Sequence, residues 1–495
     1  MLVAFHFPFP SYLGIVLFHK LQVFVCCKSS GGHSTISSHL FPTVALTSNN
    51  LLTFKPGSEG QIFGKNEPGD KTGGIRHLQP PAFSLALHSP LLTVSMQNPS
   101  CLLYGPGDAR FENTSLPTIE DPHDVIIRIA YVGVCGSDVH FWLHGGIKNH
   151  VSPDRPLVMG HEASGIVYAV GPAVTNLQPG DPIAIEPGYP CRRCTRCKSG
   201  KYNLCPDMRF AAAPPSNHGT LSKYYKLPAD CCYKIPTNTS TPLGLDEAVL
   251  IEPLAVAVHS VRQVGVSPGD KVVVLGAGTV GLLCAAVARE FGASMITSVD
   301  LSRDKLDFAH SFVPSSPGRV NFSTAIPNPS LSAEENAQCL KVHRNGVLDE
   351  SPGFDVAIEA TGAETCIQMG IYALRAGGSF IQTGMGKRLV DFPISFVAEN
   401  EIHVKGCFRY GPGDYRMALD LALTRKIELK TFITRVVPFE KATQAWEITR
   451  RGEGIKTLIR GVGFSNGSEP DGSRSPIERR DESRGRSEYI ILDGD

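Results

Sequence analysis

The 495-residue sequence has no net charge, with 47 lysines and arginines against 47 aspartates and glutamates. A chain without a basic excess has no whole-molecule field to recruit nucleic acid or anionic lipid, so neither is expected as a partner, and a small neutral substrate suits it better. It also lacks an unbroken apolar run at its start. Residues 1–27 are apolar, but His6, Pro8, Pro10, His19 and Lys20 interrupt them and no basic segment leads them, which argues against a secretory signal or a membrane span. No retrieval or peroxisomal signal closes the sequence, and a cytoplasmic location is expected. Cysteine is too scarce for a disulfide scaffold, at 14 in this length. Four of the 14 crowd into fifteen residues, the pattern of a metal site in a reducing compartment.

The two ends lack the periodicity of a packed fold. Residues 1–95 mix aromatics, prolines, serines and glycines with neither a helical nor a strand period, and are expected to be a poorly ordered extension. Met96 opens a stretch that reads like an ordinary enzyme start, so a misplaced start codon is the alternative to such an extension, ahead of a targeting segment. Residues 464–495 are rich in Ser, Gly, Arg, Asp and Glu, the composition of a disordered, solvated tail. Between these ends two patterns alternate. In residues 96–254, short strand-like runs such as 124–130 and 165–170 are separated by Gly and Pro turns, as in a β-rich domain. In residues 255–409, apolar runs beginning at Lys271, Met295, Asp355 and Ser379 alternate with helical stretches, which predicts a doubly wound parallel sheet. Residues 312–352 read as a surface excursion with one helix around 333–342, and residues 410–463 are expected to pack back on the β-rich domain.

What is present is chemistry. Cys135-Gly136-Ser137-Asp138-Val139-His140 is followed twenty residues later by Gly160-His161-Glu162. Thiolate, imidazole and carboxylate form a ligand set suited to a catalytic zinc that keeps one position open. Cys191, Cys194, Cys197 and Cys205 have the spacing C-x2-C-x2-C-x7-C, which closes a tetrahedron and leaves no open position, so this second zinc is expected to be structural. Further on, a strand at 271–275 runs into Gly276-Ala277-Gly278-Thr279-Val280-Gly281 and an apolar helix predicted over 282–291. The first glycine permits the turn, the second lets a pyrophosphate approach the backbone, and the third lets helix and strand pack closely. Asp300, 19 residues after Gly281, is placed to bind ribose hydroxyls and to repel a 2′-phosphate, which favours NAD over NADP, although Arg303 nearby softens that preference. Thr279, Val280 and Lys305 complete the expected cofactor contacts.

Gly133 to His140 together with Gly160-His161-Glu162-Ala163, Val170-Gly171, Pro179-Gly180-Asp181, Glu252-Pro253-Leu254 and Phe408-Arg409-Tyr410 resemble, in order, the motifs of the zinc-dependent medium-chain dehydrogenases. The resemblance covers nearly all of residues 96–462 and is to the polyol branch. It implies a GroES-like β-barrel catalytic domain, completed by the final segment, plus a Rossmann domain. It also implies zinc-dependent oxidation of a polyol secondary alcohol to a ketose with NAD, xylitol to D-xylulose ahead of sorbitol and L-arabinitol. The polyol or ketose would be the small-molecule partner, and relatives pair through a strand like 402–408, which implies a homodimer or homotetramer.

By the same resemblance Cys135, His161 and Glu162 hold the catalytic zinc, and Asp138 orients the ligating histidine. Glu252 stands where alcohol-specific relatives place a cysteine ligand. Arg409 and Tyr410 border the substrate, and Ser137 and His140 carry the alcohol proton to solvent. Phe141 departs from a tyrosine that sorbitol-oxidising relatives often carry. Three plainer readings stay open: Glu162 as a partner beside the ligands, Glu252 as the acid that starts a helix at Pro253, and His140 as a surface histidine. A non-catalytic, zinc-stabilised nucleotide-binding protein is the competing class.

Overall fold

The computed structural model describes residues 2–6, 13–19, 22–28, 97–215, 217–315, 320–342 and 353–465. Within residues 1–90, a separate unit, Leu2–His6, Leu13–His19 and Gln22–Lys28 form a three-stranded antiparallel sheet. The remainder of the expected extension, and residues 466–495 of the expected tail, lie outside the described residues.

The second unit, from Leu91 onward, carries the predicted chemistry. Its β-rich part is built on Asp124–Gly133, whose sequence Asp-Val-Ile-Ile-Arg-Ile-Ala-Tyr-Val-Gly is apolar almost throughout and buried on both faces, as an interior strand must be. Glu162–Val170, Tyr224–Pro228 and Lys456–Arg460 each pair antiparallel with it. Pro182–Ile185 and Cys232–Lys234 extend the sheet on one side, and Ile433–Val437 extends it on the other. Strands from residues 433–460 thus complete a sheet begun near residue 124. Asp108–Thr114, Asn98–Gly105 and Leu157–Val158 make a small sheet beside it.

The other part is a six-stranded, all-parallel sheet in the order Asn321–Ala325, Met295–Val299, Lys271–Leu275, Phe354–Glu359, Leu374–Gln382, His403–Gly406. Numbered along the chain this is 3-2-1-4-5-6, the dinucleotide-binding order, whose ligand crevice lies beyond the carboxyl ends of the central strands. Val272, Val273, Val274 and Leu275 have no exposed surface, because helices cover both faces. One strand was not legible. Residues 312–352 were expected to be a surface excursion, yet Asn321–Ala325 supplies an edge of the sheet; its Asn-Phe-Ser-Thr-Ala composition carries no apolar run because an edge strand is half solvated. The helix expected around 333–342 is present as Ala333–Val342.

Helix Ile251–Val264 joins the two parts, running unbroken through residues 254 and 255 and packing against both Thr279–Glu290 and Asp414–Leu423. Among the described residues no helix is long and apolar enough to cross a membrane.

Candidate active site

Strand Asp124–Gly133 ends where helix Gly136–His144 is about to begin, and Cys135 occupies the cap between them. The amide of Cys135 donates to Asp138 Oδ2 at 2.9 Å, which fixes the turn. Asp138 Oδ1 lies 3.7 Å from His161 Nδ1, an ion-pair distance rather than a hydrogen bond, so the expected orienting contact is looser than the Cys135 one.

Glu162 opens the strand Glu162–Val170 directly opposite Gly133. That pairing explains the glycine: a Cβ at position 133 would come within 2.2 Å of Glu162 Oε2 and 3.0 Å of Lys456 Cε. The donor atoms of Cys135, His161 and Glu162 all lie within 4.8 Å of one another. Lys456, first residue of the strand Lys456–Arg460, forms an ion pair with Glu162, and both side chains are only 2% exposed. The lysine was missed from sequence. Ile455-Lys456-Thr457 resembles the solvated start of any strand, and only the return of residues 433–460 to the sheet brings it inside.

The electrostatics suit a cation. Burial opposes a charged His161, but Asp138, Cys135 and Glu252 outweigh it and push the imidazole up to about 10. A histidine driven this far toward its charged form marks an excess of anionic donors, which a divalent ion would satisfy better than a proton. Lys456 is likewise held charged against burial by Glu162 and Cys135.

Glu252 lies in the first turn of Ile251–Val264, a helix that starts two residues before Pro253 rather than at it. Its side chain is buried and stands outside the three-donor group. Burial pushes it up to about 7, reinforced by Glu162 and opposed by His161, Lys456 and Arg409. The Arg409 guanidinium lies 3.6 Å from the centre of the Phe210 ring, a cation–π contact, and the same ring is 5.7 Å from that of His161. Phe210, also missed from sequence, is therefore the surface that brings Arg409 to the metal cluster. Tyr410 is 2% exposed, and its buried hydroxyl has no hydrogen-bond partner in the protein. A phenol so placed calls for a bound hydroxyl or water. Ser137 is half-buried and His140 is exposed one turn along the helix, whereas Phe141 packs into the core. Partial burial, with His144 and His150 nearby, holds the His140 imidazole below its ordinary range.

At the cofactor crevice, strand Lys271–Leu275 leads through Gly276 and Ala277 to helix Thr279–Glu290, capped by Gly278. The helix thus starts three residues earlier than predicted. A Cβ on Gly281 would fall 1.9 Å from the Gly276 carbonyl oxygen, so close packing demands the third glycine, while nothing stands within 4 Å of a Cβ on Gly278. That open space at a helix N-terminus is a cradle for a pyrophosphate. Asp300 follows strand Met295–Val299 and accepts bonds from Ala277 N and Ser302 N, both at 2.8 Å. Thr279 Oγ1 donates to the Ile455 carbonyl at 2.9 Å, so the hydroxyl anchors the final segment. Val280 and Lys305 are half-buried on this side, and Arg303 is exposed.

The four sulfurs of Cys191, Cys194, Cys197 and Cys205 also lie within 4.8 Å of one another. Cys194 Sγ is 3.5 Å from Cys197 Sγ and 3.8 Å from Cys205 Sγ, close to the roughly 3.8 Å edge of a tetrahedral zinc–thiolate site. Backbone amides of Cys191, Cys194 and Cys197 point at sulfurs of the set, and the Cys197 amide leads in lowering the Cys194 thiol to about 7. The residues fit a zinc in each cluster.

Comparison with known proteins agrees with this architecture. Residues 121–237 match the alcohol dehydrogenase GroES-like domain, and residues 279–424 match the zinc-binding dehydrogenase domain. A probable D-xylulose reductase A of Aspergillus clavatus is 50% identical over 367 residues, which is 74% of this chain and 97% of that protein. D-xylulose reductase A of Aspergillus oryzae is 49% identical over the same share of each. Among solved structures, an Escherichia coli dehydrogenase of unknown specificity superposes with a TM-score of 0.66 at 28% identity, covering 75% of this chain and all of that one. Galactitol-1-phosphate dehydrogenase of Escherichia coli does so with 0.63 at 25% identity, covering 74% and 100%. A GroES-like barrel and a Rossmann sheet joined by one helix, with a metal cluster beside the crevice, place the chain in the zinc-binding medium-chain dehydrogenase family.

Proposed function

We propose that this dehydrogenase oxidises a secondary hydroxyl of a polyol to the ketose with NAD, and that xylitol, giving D-xylulose, is its preferred pair. The observation that carries the reading is Arg409 stacked on Phe210 beside the Cys135, His161 and Glu162 donors: a small alcohol needs no guanidinium there, whereas vicinal hydroxyls can use its paired donors. The names of the curated relatives point to the same substrate.

Cys135, His161 and Glu162 would hold the catalytic zinc, which supplies Lewis acidity that makes an alcohol proton easier to lose. The Gly276 to Gly281 turn and Asp300 would hold NAD, which would supply the hydride acceptor. The chain's own residues do the rest. Lys456 offsets the Glu162 charge, and Asp138 secures the Cys135 backbone. Arg409 and the unpartnered Tyr410 hydroxyl orient the polyol. Glu252, poised near 7, can hold the released proton, and Ser137 and His140 pass it to solvent.

Exposed on all four residues and paired on one side only, the edge strand His403–Gly406 suits assembly into a homodimer or homotetramer. The twelve cysteines from Cys101 to Cys407 carry free thiols, which suits the cytoplasm. The test is NAD reduction with xylitol, sorbitol, L-arabinitol and ethanol, with and without a chelator. Xylitol should give the highest kcat/KM and the chelator should abolish turnover. Faster ethanol turnover, or no polyol turnover by the zinc-loaded protein, refutes the proposal, and preference for sorbitol or L-arabinitol moves it to that polyol.

A further inference from the structure

The four-cysteine loop carries a short helical turn, Tyr202–Leu204, between Cys197 and Cys205. Two of its side chains reach the segment that bears Arg409. Asn203, 6% exposed, donates from Nδ2 to the Phe408 carbonyl at 2.9 Å. The Tyr202 hydroxyl donates to Glu186 Oε1 at 2.6 Å and lies 3.4 Å from the Gly411 carbonyl. Tyr233 holds the other Glu186 oxygen at 2.8 Å, so the carboxylate is fixed from both sides. On the far side of the segment, the Gly411 amide donates to Asp414 Oδ2 at 2.7 Å. The carbonyls flanking Arg409 and Tyr410 are thereby met at both ends.

The clamp meets a strained residue. Arg409 has φ +58°, in the left-handed region that an arginine occupies only where its surroundings enforce it. Its side chain runs to Phe210, whose short strand Arg209–Phe210 pairs with Gly188–Tyr189 next to the cysteine loop. Burial works against the guanidinium charge, with Tyr410 and Glu252 opposing, so nothing about the site favours this pose on solvation grounds alone.

We propose that Asn203 is a positioning residue for Arg409, so that the four-cysteine loop sets polyol affinity in addition to holding the fold. The inference rests on the reading of Arg409 as the group that orients the polyol. Without the Asn203 amide, the Phe408 carbonyl loses its donor and the left-handed turn at Arg409 loses the contact that selects it. The guanidinium then leaves the Phe210 face for part of the time, and the polyol meets it less often.

The test compares N203D and N203A with the parent, all as full chains loaded with zinc. The aspartate is isosteric and turns a carboxylate oxygen toward the Phe408 carbonyl in place of the donor, and the alanine removes the donor without adding charge. Loss of one buried hydrogen bond predicts a rise in polyol KM of about three- to tenfold in both variants. The melting temperature should fall by a few degrees with the lost bond, while the KM for NAD and the zinc content stay unchanged, a split that a purely structural role does not give. In an R409A background N203D should add nothing further, as coupled residues require. An unchanged polyol KM in N203D, or an N203D effect that adds fully to R409A, overturns the inference while leaving the function intact. An R409A variant with the parent's polyol KM overturns the substrate role of Arg409 itself.

Discussion

Replacing Lys456 by Met tests the electrostatic logic of the metal cluster. Methionine keeps most of the lysine stem and its packing but removes the charge. Because the Lys456 and Glu162 side chains are each 2% exposed, solvent screening does not soften the loss. Removing one partner of a buried pair leaves an uncompensated charge, at roughly 3–5 kcal/mol. Glu162 would then face Cys135 and Glu252 without its cation. In the chelator-treated protein this predicts a fall in melting temperature of at least about 6 °C, taking roughly 2 °C per kcal/mol for a domain of this class. A zinc held by Cys135, His161 and Glu162 would supply positive charge at the Glu162 carboxylate, so in the loaded protein the fall should be less than half as large. The assay is a pair of thermal scans per variant, with zinc content measured by mass spectrometry. Equal melting temperatures for K456M and the parent in the metal-free state refute the reasoning, as does an equal loss with and without zinc.

Gly133→Ala places a methyl 2.2 Å from Glu162 Oε2, so it should displace that carboxylate and lower zinc occupancy at the catalytic cluster while the four-cysteine cluster stays loaded; two zincs per chain in the variant would refute this. Asp300→Ala removes the acceptor for Ala277 N as well as the proposed ribose contact, and should raise the KM for NAD roughly tenfold or more with little change for the polyol, read in steady-state kinetics. His140→Asn probes the proton path. The imidazole is held below its usual value of about 6.5, so the base form that accepts a proton persists into mildly acid solution. Polyol oxidation at pH 6–7 should therefore fall several-fold in H140N and recover toward pH 9, where solvent base takes over; a uniform loss across pH counts against a relay. Cys194→Ser should lower the zinc content by one per chain and the melting temperature with it, checked by mass spectrometry and a thermal scan.

The residues that announce themselves do so because their chemistry constrains neighbouring sequence. A closed zinc site needs four thiols at loop spacing, and a pyrophosphate turn needs glycines where Gly276 and Gly281 pack against strand and carbonyl, so both clusters are legible locally. The parallel strands read from Lys271, Met295, Asp355 and Ser379 are legible for a similar reason, since burial on both faces favours apolar residues such as Val273, Ile296, Val299, Ile358, Phe380 and Ile381. Asn321–Ala325 escapes because an edge strand has no such requirement.

The sequence by itself therefore determined the ligand types, the cofactor fingerprint and the two-part architecture, all properties written in short spacings. Tertiary structure alone decided what surrounds those groups. Lys456 reaches Glu162 from a strand 294 residues further along the chain, Phe210 carries Arg409 to His161, and Asn203 holds the Phe408 carbonyl, each by a pairing between segments distant in sequence. Such contacts leave no local period or motif, because what fixes them is the register of strands and the fold of loops over one another.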